Sequence, residues 1–128
     1  MHFYITGFGK FGDVLENPTS ILVAKLPELL ALRIADDTTF TNADGKKKPF
    51  HLAHSEVLEV HIDECNEKLE RMYDLISQNH SQADHHVVIN FGVAANRLAF
   101  DLEQVGRNIC DFRIPDELGN QPKNTQID

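Results

Sequence analysis

Gly7-Phe8-Gly9-Lys10-Phe11-Gly12 follows the apolar run His2-Phe3-Tyr4-Ile5 and has the G-x-G-x-x-G spacing of a dinucleotide-binding loop. In such a loop the glycines let the backbone approach a pyrophosphate, and the helix that starts inside the loop points its N-terminus at the anion. Asp36 and Asp37, further on, stand where a ribose-binding carboxylate would sit. A helix begun within the glycines would, however, carry Pro18 in its interior, at a cost of roughly 3 kcal/mol. Asn17-Pro18 instead marks a helix start several residues beyond Gly12, since Asn caps well and Pro suits the first helical position. The phosphate-loop pattern also fails: Gly7 and Gly12 have its spacing, but Asp13-Val14 stands where Lys-Ser/Thr is needed. Phe8 and Phe11 suit a flat, largely apolar group better than a diphosphate.

Seven histidines and two cysteines offer other chemistry. His51-x-x-His54, and His61 with Cys65 four residues on, have the local spacing of metal ligands, but no second ligand pair lies at a recognised offset. His85-His86 on a strand would point to opposite faces. No metal site is expected, and His61 and Cys65 are expected to belong to an amphipathic helix.

The elements that must position these groups follow an α/β pattern. Residues 2–6 read as a buried strand, and a helix starts at Asn17-Pro18 and ends or bends at Pro27. Leu30–Ala35 is a candidate strand closing at Asp36-Asp37, and residues 38–50 are a polar turn or surface loop. Ser55–Val60 alternates as a strand. Residues 62–78 carry Ile62, Cys65, Leu69, Met72, Tyr73 and Ile76 at helical spacing. Asn79–Asp84 is a polar connector, and His86–Asn90 reads as a strand buried on both faces. Arg97–Val105 is expected to run extended beside the strand ends, and residues 106–128 to be irregular. Helical crossovers favour parallel neighbours in a sheet covered on both sides.

A length of 128 residues accommodates one domain. The net charge of −8, with Lys46-Lys47-Lys48 as the longest basic run, argues against a nucleic-acid partner. No apolar stretch approaches the ~20 residues of a membrane span, and no secretory signal is visible. Cys65 and Cys110 are therefore expected as free thiols in the cytoplasm. Four strands and two helices give a sheet little cover. The polar ending "GNQPKNTQID" suggests that a downstream segment or a partner completes the fold.

Two stretches carry a family resemblance. "TGFGKFGDVLENPTS" resembles the N-terminal signature of the pyroglutamyl peptidase I family, the pyrrolidone-carboxylate cysteine peptidases: Thr6, Gly7, Phe8, Phe11, Gly12, Asn17, Pro18 and Thr19 fit it. "FGVAANRLAFDLEQVGRNICDFRIPDELGNQP" is similar to a second family stretch through Gly92, Arg97, Glu103, Asn108, Arg113, Ile114, Pro115, Asp116 and Gly119. Residues 34–60 match only in general pattern. The resemblance implies a three-layer α/β/α sandwich with a mostly parallel sheet, and residues 1–128 as the N-terminal three-fifths of one such domain. It implies hydrolysis of an N-terminal pyroglutamyl residue by a Cys–His–Glu triad, without a cofactor. The family glutamate falls on Glu103. Phe8 and Phe11 would flank the pyrrolidone ring, and Val93 would lie along its polar edge, where a backbone carbonyl can accept the lactam N–H. Arg113 and Ile114 would line the same site, and Asn17 matches the family asparagine while also suiting a helix cap.

The family's nucleophilic cysteine and its histidine belong to later segments. Neither Cys65 nor Cys110 stands at the nucleophile's position, and Lys10 replaces the usual loop proline. Arg113 has a competing role in an ion pair with Asp116 or Glu117. The chain alone is thus expected to be inactive, and to self-associate or to take a complementing C-terminal segment, with a small pyroglutamyl peptide as substrate. The alternatives are a non-catalytic pyroglutamate-binding module, or half of a split enzyme, and more remotely a nucleotide-binding half-domain.

Overall fold

His2–Phe8 forms β1, the central strand. The computed structural model describes residues 1–34, 39–41, 44–78, 85–94 and 96–127. After β1 come α1 (Pro18–Ile34), the short strands β2 (Thr39–Thr41) and β3 (Lys47–Pro49), β4 (His51–Leu58), α2 (Ile62–Gln78) and β5 (His86–Asn90). The pair β6 (Ile109–Cys110) and β7 (Thr125–Gln126) follows. The main sheet has the order β4-β1-β5, with both pairings parallel, so the fold is α/β with a parallel sheet. In this register His2 faces both His51 and His86, and Phe8 faces Leu58. Among the described residues no helix is long and apolar enough to cross a membrane.

The centre of β1 is covered on both faces: Tyr4, Ile5, Thr6 and Gly7 are all buried. Val23 of α1, Leu58 of β4 and Met72 of α2 complete the buried apolar core. α1 packs on β1 and β4, and α2 packs on β4. Lys68 of α2 fastens that last contact, donating from Nζ to the Val57 carbonyl (2.9 Å) and pairing with Glu64 one turn back.

Several expectations are corrected. α1 does not stop at Pro27, and residues 30–34 continue it instead of forming a strand. The proline removes one internal donor, but Leu29, Leu30, Ala31 and Leu32 are among the strongest helix formers and carry the helix on. Among the described residues the main sheet accordingly has three strands, not four. β5 is half-buried, not buried on both faces: among the described residues it lies at the sheet edge and pairs with β1 alone. β4 starts at His51 rather than Ser55, since β1 offers it partners from His2 onward. Within the polar 38–50 stretch, β2 and β3 pair antiparallel on either side of a turn in which Gly45 takes a φ of +74°. Asp36, Asp37 and the 79–84 connector lie outside the described residues.

Gly7 is dictated by packing. A Cβ there would lie 2.6 Å from the Thr19 carbonyl oxygen and 2.9 Å from Val23 Cγ2, so the absent side chain lets the first turn of α1 sit directly on β1. Gly7→Ala should cost about 1–3 kcal/mol of stability in urea unfolding. Gly92→Ala, where nothing lies within 4 Å of an added Cβ, should change stability by under about 0.5 kcal/mol. Equal effects at the two positions would refute the packing account.

Candidate functional site

The site begins where β1 runs out into the glycine loop. Asn17 is buried and does two jobs. Its Oδ1 accepts the Thr19 N–H (3.0 Å) and caps α1, while its Nδ2 donates to the Gly9 carbonyl (2.9 Å) and ties down the loop. The Thr19 hydroxyl accepts the Phe8 N–H (2.9 Å) and donates to Asn17 Oδ1 (2.8 Å). Phe8 and Phe11 are thus presented by a loop pinned at both ends. Gly12, with a φ of +49°, makes the turn that follows Phe11.

A second wall comes from the start of α2. His61 caps this helix: its Nδ1 accepts the Glu64 N–H (3.2 Å), which leaves the proton on Nε2 to donate to Glu64 Oε2 (3.0 Å). Asp63 and Glu64 in the first turn suit the helix N-terminus. The third wall is the arm from Cys110 to Asp116, folded back by the β6–β7 pairing and by the Phe112 N–H on the Pro122 carbonyl (2.9 Å).

Asp116 joins the arm to the helix. Its carboxylate accepts the N–H groups of Ile62 (3.2 Å), Leu118 (3.0 Å) and Asn120 (2.7 Å), and the Asn120 side-chain amide (3.1 Å). The neighbouring Glu117 donates its N–H to the Val60 carbonyl (2.9 Å) and accepts the Gly12 N–H on Oε1 (2.8 Å). Two short stretches, residues 8–12 and 113–117, are thereby held around one cleft of about 660 Å³. That volume lies within the range of small-ligand sites.

The cleft brings together Phe8, Phe11, Arg113 and Ile114, with Val60, His61, Ile62, Cys65 and Cys110 beside them. The guanidinium of Arg113 makes no ion pair among the described residues; Asp116 and Glu117 bond other groups. Asn17 lies outside the lining and acts through the loop it holds. Val93 is 36% exposed, just beyond the carboxyl end of β5, and does not line the cleft. Glu103 also lies outside it: its carboxylate accepts from Arg97 Nη1 (2.8 Å), and its side chain is 76% exposed.

Sequence reasoning passed over His61, Cys65 and Cys110 as cleft residues. Their joint position depends on the β6–β7 pairing, which no periodicity announces. The two cysteines are free thiols. Burial pushes the Cys65 thiol up despite a hydrogen bond at its sulfur, and Sγ donates to the Glu59 carbonyl (3.1 Å), both of which disfavour the thiolate. Among the described residues no cluster of three His, Cys, Asp or Glu side chains is placed to hold a metal.

A family model described as pyroglutamyl peptidase matches residues 1–128. The chain belongs to the pyroglutamyl peptidase family. It is 34% identical over 119 residues to the pyrrolidone-carboxylate peptidase of Vibrio campbellii, covering 92% of this chain and 44% of that protein. It is similar to the protein of the same name from Treponema denticola (29% over 123 residues, 95% and 45% covered) and to that from Thermococcus litoralis (28% over 124 residues, 97% and 46% covered). The chain thus spans a little under half the length of these relatives. Of the two stretches that carry the resemblance, the second is bonded to the first where Glu117 accepts the Gly12 N–H.

Burial pushes the Asp116 carboxyl up, but the bonds from the Asn120 backbone and side chain, Ile62 and Leu118 outweigh it and hold the carboxyl below the usual carboxylate range. A lowered folded-state pKa contributes stability above the unfolded value, and that contribution is lost as pH falls through the folded value. Asp116→Asn should therefore unfold at lower urea than the parent at neutral pH, with the gap narrowing in acid below the ordinary aspartate range. A gap of constant size across that range would rule out the charged acceptor role.

Proposed function

We propose that this chain forms the ring-binding part of a peptidase that removes an N-terminal pyroglutamyl residue from peptides. The observation that carries the reading is the single cleft lined by Phe8, Phe11, Arg113 and Ile114, together with the family membership. Two aromatic side chains and an isoleucine offer flat apolar contact for a pyrrolidone ring, and the guanidinium of Arg113 offers donors for a carbonyl.

The reaction proposed is acyl transfer. A thiolate attacks the pyroglutamyl carbonyl carbon, and histidine passes a proton to the departing amine. Water then hydrolyses the thioester. Glu103 is proposed as the carboxylate that orients the histidine. Its exposure and its pairing with Arg97 mean that it reaches that role only once the histidine-bearing segment is docked beside it. Val93, at the carboxyl end of the sheet, is proposed to accept the lactam N–H through its backbone once the same segment closes the site. Burial and the bond from Sγ to the Glu59 carbonyl disfavour Cys65 as that thiolate. By itself the chain is then a pyroglutamate-binding module, or one half of a split enzyme.

The chain is proposed as the N-terminal part of a single larger domain with a three-layer α/β/α architecture. β1→β4 and β4→β5 run in opposite directions across the sheet. Right-handed crossovers would put α1 and α2 on opposite faces. Leu98, Phe100 and Leu102 are more than nine-tenths exposed, and Leu32 of α1 is 67% exposed. Such a surface suits cover by a complementing segment or by a second copy. The nucleotide-binding alternative is disfavoured because the Asn17 side chain already occupies an amide at the start of α1.

The test is turnover of a pyroglutamyl fluorogenic amide. The chain alone should give none, and a mixture with the C-terminal half of a relative should give activity that Glu103→Gln lowers by at least 10²-fold. Turnover by the chain alone that Cys110→Ala abolishes would place the nucleophile in this chain and overturn the proposed division of labour.

A further inference from the structure

We infer that His2 and His51 form a two-ligand site for a divalent transition ion of the nickel, copper or zinc type, at the end of the main sheet opposite the cleft. The parallel register sets the two histidines directly opposite each other on β1 and β4, with His86 opposite His2 on the other side. The backbone fixes both flanks: the His51 N–H donates to the Met1 carbonyl (3.2 Å), and the His2 N–H donates to the His85 carbonyl (2.8 Å).

The two rings approach through like atoms, Nδ1 to Nδ1, at 3.2 Å. Without a metal, one ring must carry its proton on Nδ1 and the other must present a lone pair. Two imidazole nitrogens at ~2.0–2.1 Å from a tetrahedral ion stand about 3.3 Å apart, so the existing spacing is already that of a chelate. On binding, the proton on the donor ring's Nδ1 is exchanged through water to Nε2 of the same ring. Both Nδ1 lone pairs then face the ion, with no net proton released.

His86 stacks on His2 with ring centroids 5.2 Å apart and planes 18° apart, and its own Nδ1 is held by the Tyr4 hydroxyl at 3.2 Å. This stack limits rotation of the His2 ring, and His51 meets it edge-on at 69°. The two nitrogens are thus held close before an ion arrives, and each ring turns off the Nδ1–Nδ1 axis to aim its lone pair at the ion. Since no third His, Cys, Asp or Glu converges on the same point among the described residues, the remaining positions fall to water. That favours an exchangeable ion over a closed structural site. Both thiols lie away from it: Cys65 follows the last residue of β4, whereas His51 is its first, and Cys110 lines the cleft with Cys65.

Nickel(II) is the probe, titrated into the full chain carrying Cys65→Ser and Cys110→Ser to remove competing thiolates. One equivalent should bind, raise the melting temperature, and selectively broaden the His2 and His51 imidazole NMR signals. His51→Gln and His2→Gln should each weaken binding at least tenfold and abolish the thermal shift, while His54→Gln changes neither. If either Gln variant is misfolded, the broadening pattern in the parent decides alone. Uniform broadening across all the histidines, or binding unaffected by a folded His51→Gln, would overturn the site and leave a simple imidazole hydrogen bond.

Discussion

The Asp116 carboxylate is the junction on which the cleft depends. It satisfies the first N–H of α2 from a distance of 54 residues in sequence and, through Leu118 and Asn120, folds its own loop around itself. Next to it, Glu117 bonds both the Val60 carbonyl and the Gly12 N–H. One short acidic turn thus fixes three segments: the aromatic loop after β1, the entry to α2 and the arm after β6. Each of these bonds satisfies a polar group that would otherwise be lost from water or from a helix terminus, and leaving such groups unmade is costly. The cleft is shaped by that satisfaction more than by apolar packing.

The same logic explains the glycine-rich opening of the chain. Gly7 is there because α1 sits on β1, and Gly12 because the loop turns at positive φ before donating to Glu117. The dinucleotide spacing is a by-product of packing and turning needs. What the glycines leave free to meet a ligand is Phe8 and Phe11, on the cleft wall opposite the start of α2.

Much of this was legible in the residues. Asn17-Pro18 places the start of α1, the three-and-four spacing of residues 62–78 gives α2 to the residue, and β1 and β5 follow from apolar runs. Phe8, Phe11, Arg113 and Ile114 were paired by family resemblance, and they share a cleft. The misreadings have physical causes. Pro27 suggested a helix end, but one missing hydrogen bond did not outweigh a leucine-rich turn. Edge and centre strands look alike in sequence, so the apolar run of β5 reads as covered on both faces. The β6–β7 pairing spans only two residues per strand and has no periodicity to detect. Yet it brings Cys110 to the cleft beside Cys65 and His61. Glu103 and Val93 stand in the motif stretches but do not line the cleft: Val93 lies just beyond the end of β5, and the Glu103 carboxylate pairs with Arg97.

The central claim is that the Phe8–Phe11 loop and the Arg113–Ile114 arm together bind a pyrrolidone ring. The most direct measurement is an NMR titration of the isotope-labelled chain with pyroglutamyl amide, using prolyl amide, which lacks the lactam carbonyl, as the control. The account predicts saturable shifts at Phe8, Phe11, Arg113 and Ile114 with pyroglutamyl amide and weaker ones with prolyl amide. Shifts that are absent from these four residues, or the same for both amides, would contradict it.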